Sequence, residues 1–99
     1  MANIRISLAG LDLDNPVMLA SGILDSTPGI LQRMAETGAG ALITKSISLQ
    51  PRPGYPGPTT VEIAPGTWIN AMGLPNPGLE EFVNEFPLTT LSVPVIPNL

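Results

Sequence analysis

Val17-Met18-Leu19-Ala20 and Ala41-Leu42-Ile43-Thr44 are two short apolar runs, and between them Thr27-Pro28-Gly29-Ile30-Leu31-Gln32-Arg33-Met34-Ala35 carries the marks of a helix. An uninterrupted apolar run of strand length is the pattern of a strand buried on both faces, as parallel strands are. Thr27 offers an N-cap and Pro28 an N1 proline, Ile30, Leu31, Met34 and Ala35 recur at helical spacing, and Gly38 supplies a left-handed stop. Strand, helix, strand makes a parallel pair the economical reading. Gly38-Ala39-Gly40 lies after a helix and before a strand, the reverse of a dinucleotide-binding loop, and reads as the helix C-cap.

Outward from this unit the pattern continues. Ile4, Ile6 and Leu8 alternate with polar residues, as do Leu11 and Leu13 beyond Ala9-Gly10, so the chain opens on a predicted hairpin. Leu49 to Thr60 holds too many prolines and glycines for a regular element and reads as a long loop, of the kind that tends to be functional. Thr60 to Ile63 and Thr67 to Ile69 flank Ala64-Pro65-Gly66 as a second hairpin, on which Trp68 is expected to be partly buried. Asn76 as cap and Pro77 at N1 predict a helix from about Pro77 to Phe86, its apolar stripe being Leu79, Phe82, Val83 and Phe86, with Glu80 and Glu81 near its positive end. Met18, Met34 and Phe82 are expected in the core. Val93 to Leu99 reads as the start of a third strand. Three strands and two helices leave a parallel sheet half covered, so residues 1–99 read as the opening portion of a longer α/β domain of βα repeats.

Composition narrows the chemistry. The 99 residues are 43% hydrophobic and only 12% charged, with net charge −4 and four scattered bases, Arg5, Arg33, Lys45 and Arg52, which excludes a phosphate-gripping run and predicts no nucleic-acid partner. Cys and His are both absent, so a disulfide, a thiolate metal site, a Ser-His-Asp triad and an imidazole base are excluded within this stretch. Every apolar run is broken well short of the ~20 residues of a spanning helix, and Met1 to Arg5 has no signal-peptide character, so a cytoplasmic location and no membrane are expected. Asp12, Asp14, Asp25, Glu36 and Glu62 show no paired spacing and read as solvated surface charges.

Lys45, the only lysine, follows the second apolar run and so stands at the carboxyl end of a buried strand, the edge where βα folds bind ligands. Ser21-Gly22 closes the first strand, Lys45-Ser46 the second and Asn98 the third, which brings small and polar residues to one predicted rim. A small residue such as Gly22 lets a flat ligand approach the backbone closely. Asn70-Ala71-Met72-Gly73-Leu74-Pro75-Asn76-Pro77-Gly78 adds two amides and two glycines. Capping explains Asn76 to Gly78, while Asn70 to Leu74 stays unexplained by turn chemistry and is a candidate for binding.

Asn15-Pro16-Val17-Met18-Leu19-Ala20-Ser21-Gly22, Ile43-Thr44-Lys45-Ser46, Pro51-Arg52-Pro53-Gly54 with Pro58, and Asn70 to Gly78, in that order and spacing, resemble the class 1 dihydroorotate dehydrogenases across essentially the whole chain. The stretch Pro51 to Glu62 is more similar to the NAD-linked 1B branch than to the fumarate-linked 1A branch. The resemblance implies the N-terminal portion of an FMN-containing (β/α)8 TIM barrel with an N-terminal β-hairpin, a single partial domain of an enzyme that oxidises dihydroorotate to orotate in pyrimidine synthesis. It implies FMN contacts at Ser21, Lys45, Ser46 and Asn98, and substrate contacts at Lys45 and at Asn70, Ala71, Met72, Gly73 and Leu74. It further implies a homodimer and, for the 1B branch, an iron–sulfur/FAD electron-transfer subunit. The family's general base is a Cys on a later loop, so no catalytic base is expected among these residues, and the stretch alone is expected to be inactive. The alternative reading is a non-catalytic remnant or interaction module derived from such a barrel, for which Lys45, Ser46 and Asn70 to Leu74 would have no use.

Overall fold

The computed structural model describes residues 2–86 and 91–99. Its elements in chain order are β1 (Ile6–Leu8), β2 (Leu11–Leu13), β3 (Met18–Leu19), α1 (Pro28–Ala35), β4 (Ala41–Ser46), β5 (Thr60–Ala64), β6 (Thr67–Asn70), α2 (Leu79–Glu85) and β7 (Val95–Asn98). β1 and β2 form the predicted antiparallel hairpin about Ala9-Gly10, both in the left-handed region at φ 50° and 82°. β5 and β6 form the second, with Val61 opposite Ile69 and Glu62 opposite Trp68.

The site is built on the third sheet, ordered β3-β4-β7 and parallel throughout. Its strands add in chain order on one side. Leu31 and Ala35 of α1 and Phe82 of α2, with Phe86 just beyond it, pack with Leu42 of β4 and Ile47 in one core, so both helices cover the same face. The Phe82 and Phe86 rings stack at 4.3 Å between centroids. α1 forms as the sequence predicts, with the Thr27 hydroxyl accepting from the Ile30 N–H at 3.3 Å and Gly38 left-handed at φ 93°.

Five expectations are corrected. β3 is two residues long with both half-buried, and Val17 is exposed, because only the β4 side and the helix face are covered. Trp68 is 61% exposed: β5 and β6 pair with each other and every residue of both is exposed. α2 starts at Leu79 with Gly78 as its N-cap, since Gly78, at φ 85°, cannot belong to a helical turn although its N–H still bonds the Asn76 side chain. Of the expected stripe, Phe82 and Phe86 are buried while Leu79 and Val83 face solvent. Asp25, expected on the surface, is 0% exposed.

Candidate functional site

The carboxyl ends of β3, β4 and β7 meet at one rim, tied by a single side chain. The Asn98 amide nitrogen donates to the Ser46 hydroxyl at 2.7 Å and to the Ser21 hydroxyl at 3.1 Å, the two hydroxyls being 3.5 Å apart. The fully buried Thr44 supports Asn98 from below, its hydroxyl accepting from the Asn98 backbone N–H at 3.1 Å. The Ile47 N–H closes the ladder on the Asn98 carbonyl at 2.9 Å.

A register shift explains how two adjacent residues reach this rim. Leu42 and Ile43 pair with Val95 and Ile96, but Ser46 pairs with Asn98, so β4 accommodates one residue more than β7 over this interval. In a regular pleat neighbouring side chains point to opposite faces; an extra residue re-aims them. Lys45 and Ser46 both line the cleft as a result. The Lys45 ammonium donates to the Gly22 carbonyl at 2.7 Å, and the Gly22 N–H donates to an Asp25 carboxylate oxygen at 2.8 Å.

The opposite wall is Asn70 at the end of β6 and the segment after it. Three ties hold that segment in place: the Ala71 N–H donates to the Thr59 carbonyl at 2.8 Å, the Tyr55 N–H to the Met72 carbonyl at 3.0 Å, and the Asn76 amide to the Leu74 carbonyl at 3.0 Å. Asn76 also accepts from the Ser48 N–H at 3.1 Å and from the Gly78 N–H at 3.0 Å. Gly73, at φ 78°, lies so close to Tyr55 that an added Cβ would sit 2.7 Å from its backbone nitrogen. Leu74 follows at φ 53°, a conformation that costs a residue with a Cβ ~1–2 kcal/mol and is held here by its neighbours.

Between these walls lies a cleft of about 730 Å³ lined by Leu19, Ala20, Ser21, Gly22, Ile23, Leu24, Lys45, Ser46, Asn70, Met72, Gly73 and Leu74. That volume is within the range of small-molecule sites. Seven of the nine residues singled out from the sequence thus share one cavity. Ala71 and Asn98 are outside its lining, Asn98 serving as the tie beneath the two serines. Sequence reasoning missed Thr44, Asp25 and the Ile23-Leu24 wall. An acid three residues after the strand-closing Gly22, within reach of its amide, was the available signal for Asp25. Among the described residues no group of three or more metal-ligating side chains occurs, and no helix is long and apolar enough to cross a membrane.

Parallel strands with both helices on one face and, at their carboxyl ends, a mainly apolar cleft carrying a few polar groups place the chain in the α/β class whose ligand sites occupy that edge. The family model described as dihydroorotate dehydrogenase matches residues 3–94, and the chain belongs to that family. The catalytic subunit of dihydroorotate dehydrogenase B (NAD(+)) from Pyrococcus furiosus is 50% identical over 94 residues, which are 95% of this chain and 31% of that protein. The corresponding subunit from Methanothermobacter thermautotrophicus is 47% identical over 93 residues, 94% of this chain and 30% of the relative. The chain therefore spans about a third of the length of these curated relatives. Among solved structures, DHODH from Eimeria tenella in complex with ferulenol is similar at a TM-score of 0.62 and 27% identity, covering 79% of this chain and 21% of that one.

Proposed function

We propose that this chain supplies the first βα units of the (β/α)8 barrel of a class 1B dihydroorotate dehydrogenase catalytic subunit, carrying one wall of its FMN site and part of its dihydroorotate site. The observation that supports this most is the convergence of Ser21, Lys45 and Ser46 with Asn70 to Leu74 on a single cleft. Strands that add in chain order with both helices on one face also suit a barrel, where a doubly wound sheet would divide its helices between two faces.

The residues present fit a flat, polar-edged ring. Gly22 leaves open space on its side, with nothing within 4 Å of where a Cβ would stand. Ser21, Ser46 and the Lys45 ammonium supply hydrogen-bonding groups along one edge, and Ala20, Ile23 and Leu24 supply apolar surface. FMN, when bound, would accept the hydride that dihydroorotate loses in becoming orotate. Lys45 places a positive charge where the substrate carboxylate and the charge developing in the reaction need stabilising. Asn70 offers an amide to the pyrimidine edge, and the bonded, left-handed Gly73-Leu74 turn keeps that wall in place before the substrate arrives. With no Cys or His in these residues, the proton acceptor is assigned to the remaining part of the barrel, as are the phosphate-binding loops. The B-type subunit named in the relatives suits an NAD-linked iron–sulfur/FAD partner, a homodimeric catalytic subunit and a cytoplasmic setting.

The test is to purify the whole polypeptide that carries this sequence and add dihydroorotate without oxygen. Retention of stoichiometric FMN through gel filtration and bleaching of its visible band are the expected results. A colourless protein, or a yellow one that dihydroorotate leaves unbleached, rejects the proposal. Reoxidation by NAD rather than fumarate, in the presence of the partner subunit, assigns the branch.

A further inference from the structure

We propose that Asp25 is a positioning residue for Lys45, acting through the backbone of Gly22; the inference rests on the reading of Lys45 as the cation of the site. Asp25 lies on the connection from β3 to α1 and is fully buried, yet it has no ion pair among the described residues. One carboxylate oxygen accepts the Gly22 N–H at 2.8 Å, and the Gly22 carbonyl in turn accepts from the Lys45 ammonium at 2.7 Å. The other oxygen, Oδ1, has no partner among the described residues.

Burying a carboxylate is costly, and leaving half of it unpartnered adds to the cost, so this is a poor way to stabilise a loop in general. It is a good way to hold one amide. A carboxylate accepts more strongly than a neutral oxygen, and three residues is the span over which an Asp side chain can turn back to a preceding N–H. Gly22 is where such a hold is needed, because a residue without a Cβ is otherwise free to turn its carbonyl away. Lysine has a long flexible stem and a point charge, so its position is set by what accepts its protons. Among the described residues that acceptor is the Gly22 carbonyl, and the Asp25 bond closes the Gly22-to-Asp25 turn into a ring that contains this carbonyl and so limits where it can point.

The test uses the whole polypeptide with its bound flavin and two independent readouts. The first is acylation of Lys45 by a small amine-reactive ester, quantified by mass spectrometry on the peptide that contains it. The second is kcat and KM for dihydroorotate. Asp25→Ala is expected to raise Lys45 acylation about fivefold or more and KM about tenfold with a smaller fall in kcat, the pattern of lost substrate binding. Asp25→Asn keeps an acceptor for the Gly22 N–H and is expected to stay within about twofold of wild type on both readouts. Should Asp25→Ala fail to fold, Asp25→Ser, too short to span to Gly22, carries the same expectation. General loosening would raise acylation at every lysine alike and overturns the proposal, as does a Lys45 rate unchanged in Asp25→Ala. Equal damage from Asn and Ala overturns it too. A wild-type protein that binds no flavin rejects the dehydrogenase reading, while the acylation rates still decide whether Asp25 holds Lys45.

Discussion

At Gly40 the chain has no room for a side chain, since a Cβ would sit 2.0 Å from the Asn15 carbonyl oxygen. The Gly40 N–H donates to the Val17 carbonyl at 2.8 Å and the Asn15 amide to the Gly38 carbonyl at 2.8 Å, a clasp that sets Met18 beside Ala41. Gly40→Ala is expected to lower stability by ~2–4 kcal/mol in denaturant titration, because rigid backbone must move to admit the methyl group. Gly29→Ala, inside α1 with open space around it, is expected to raise stability by ~0.5–1 kcal/mol in the same titration. Lys45→Ala is expected to slow flavin reduction by dihydroorotate by ~10²–10³, the usual effect of removing a preorganised charge. Arg33→Ala and Arg52→Ala, whose side chains are exposed, should reduce flavin at close to the wild-type rate in the same stopped-flow measurement. Ser21, Lys45, Ser46 and Asn98 were legible because each ends an apolar run. Gly40 and Asp25 were misread because their partners are set by how loops fold back, and a lone acid is ordinarily a surface residue.

Among the elements, α1 was legible from end to end because its cap, first-turn proline, stripe and stop are all local signals. Thr27→Ala removes the hydroxyl that accepts the Ile30 N–H, and a loss of ~1 kcal/mol in thermal unfolding is expected. The start of α2 carries the same local signs in Asn76-Pro77, but there a distant segment competes. Asn76 spends its carboxamide on Ser48 and Leu74 as well as on Gly78, and its backbone pairs with Arg52 at 2.9 Å in both directions. The helix gives way by two residues, and the long loop is pinned beneath the Asn70 to Leu74 wall. The second hairpin shows the converse. Its strands were readable from alternation, while the exposure of Trp68 was not, because alternation predicts pairing and says nothing of whether a third layer covers it.

At the largest scale, among the described residues the parallel sheet has β3 and β7 as its edges, and large apolar side chains such as Ile23, Leu24, Val83 and Leu99 are exposed. Parallel sheets are ordinarily covered on both faces, and open edges recruit other chains. Residues 1–99 produced on their own are therefore expected to self-associate in analytical ultracentrifugation and to lose FMN on gel filtration. A monomer with one sharp, reversible melting transition would contradict this. The order of assembly follows from the tie at the rim. Asn98 bonds Ser21 across 77 residues of sequence and Ser46 across 52, and contacts between such distant partners form late in folding. During synthesis both serines leave the ribosome long before the amide that aligns them, so this rim is tied only when β7 docks beside β4, and a ligand that needs all three strand ends can bind only after that step.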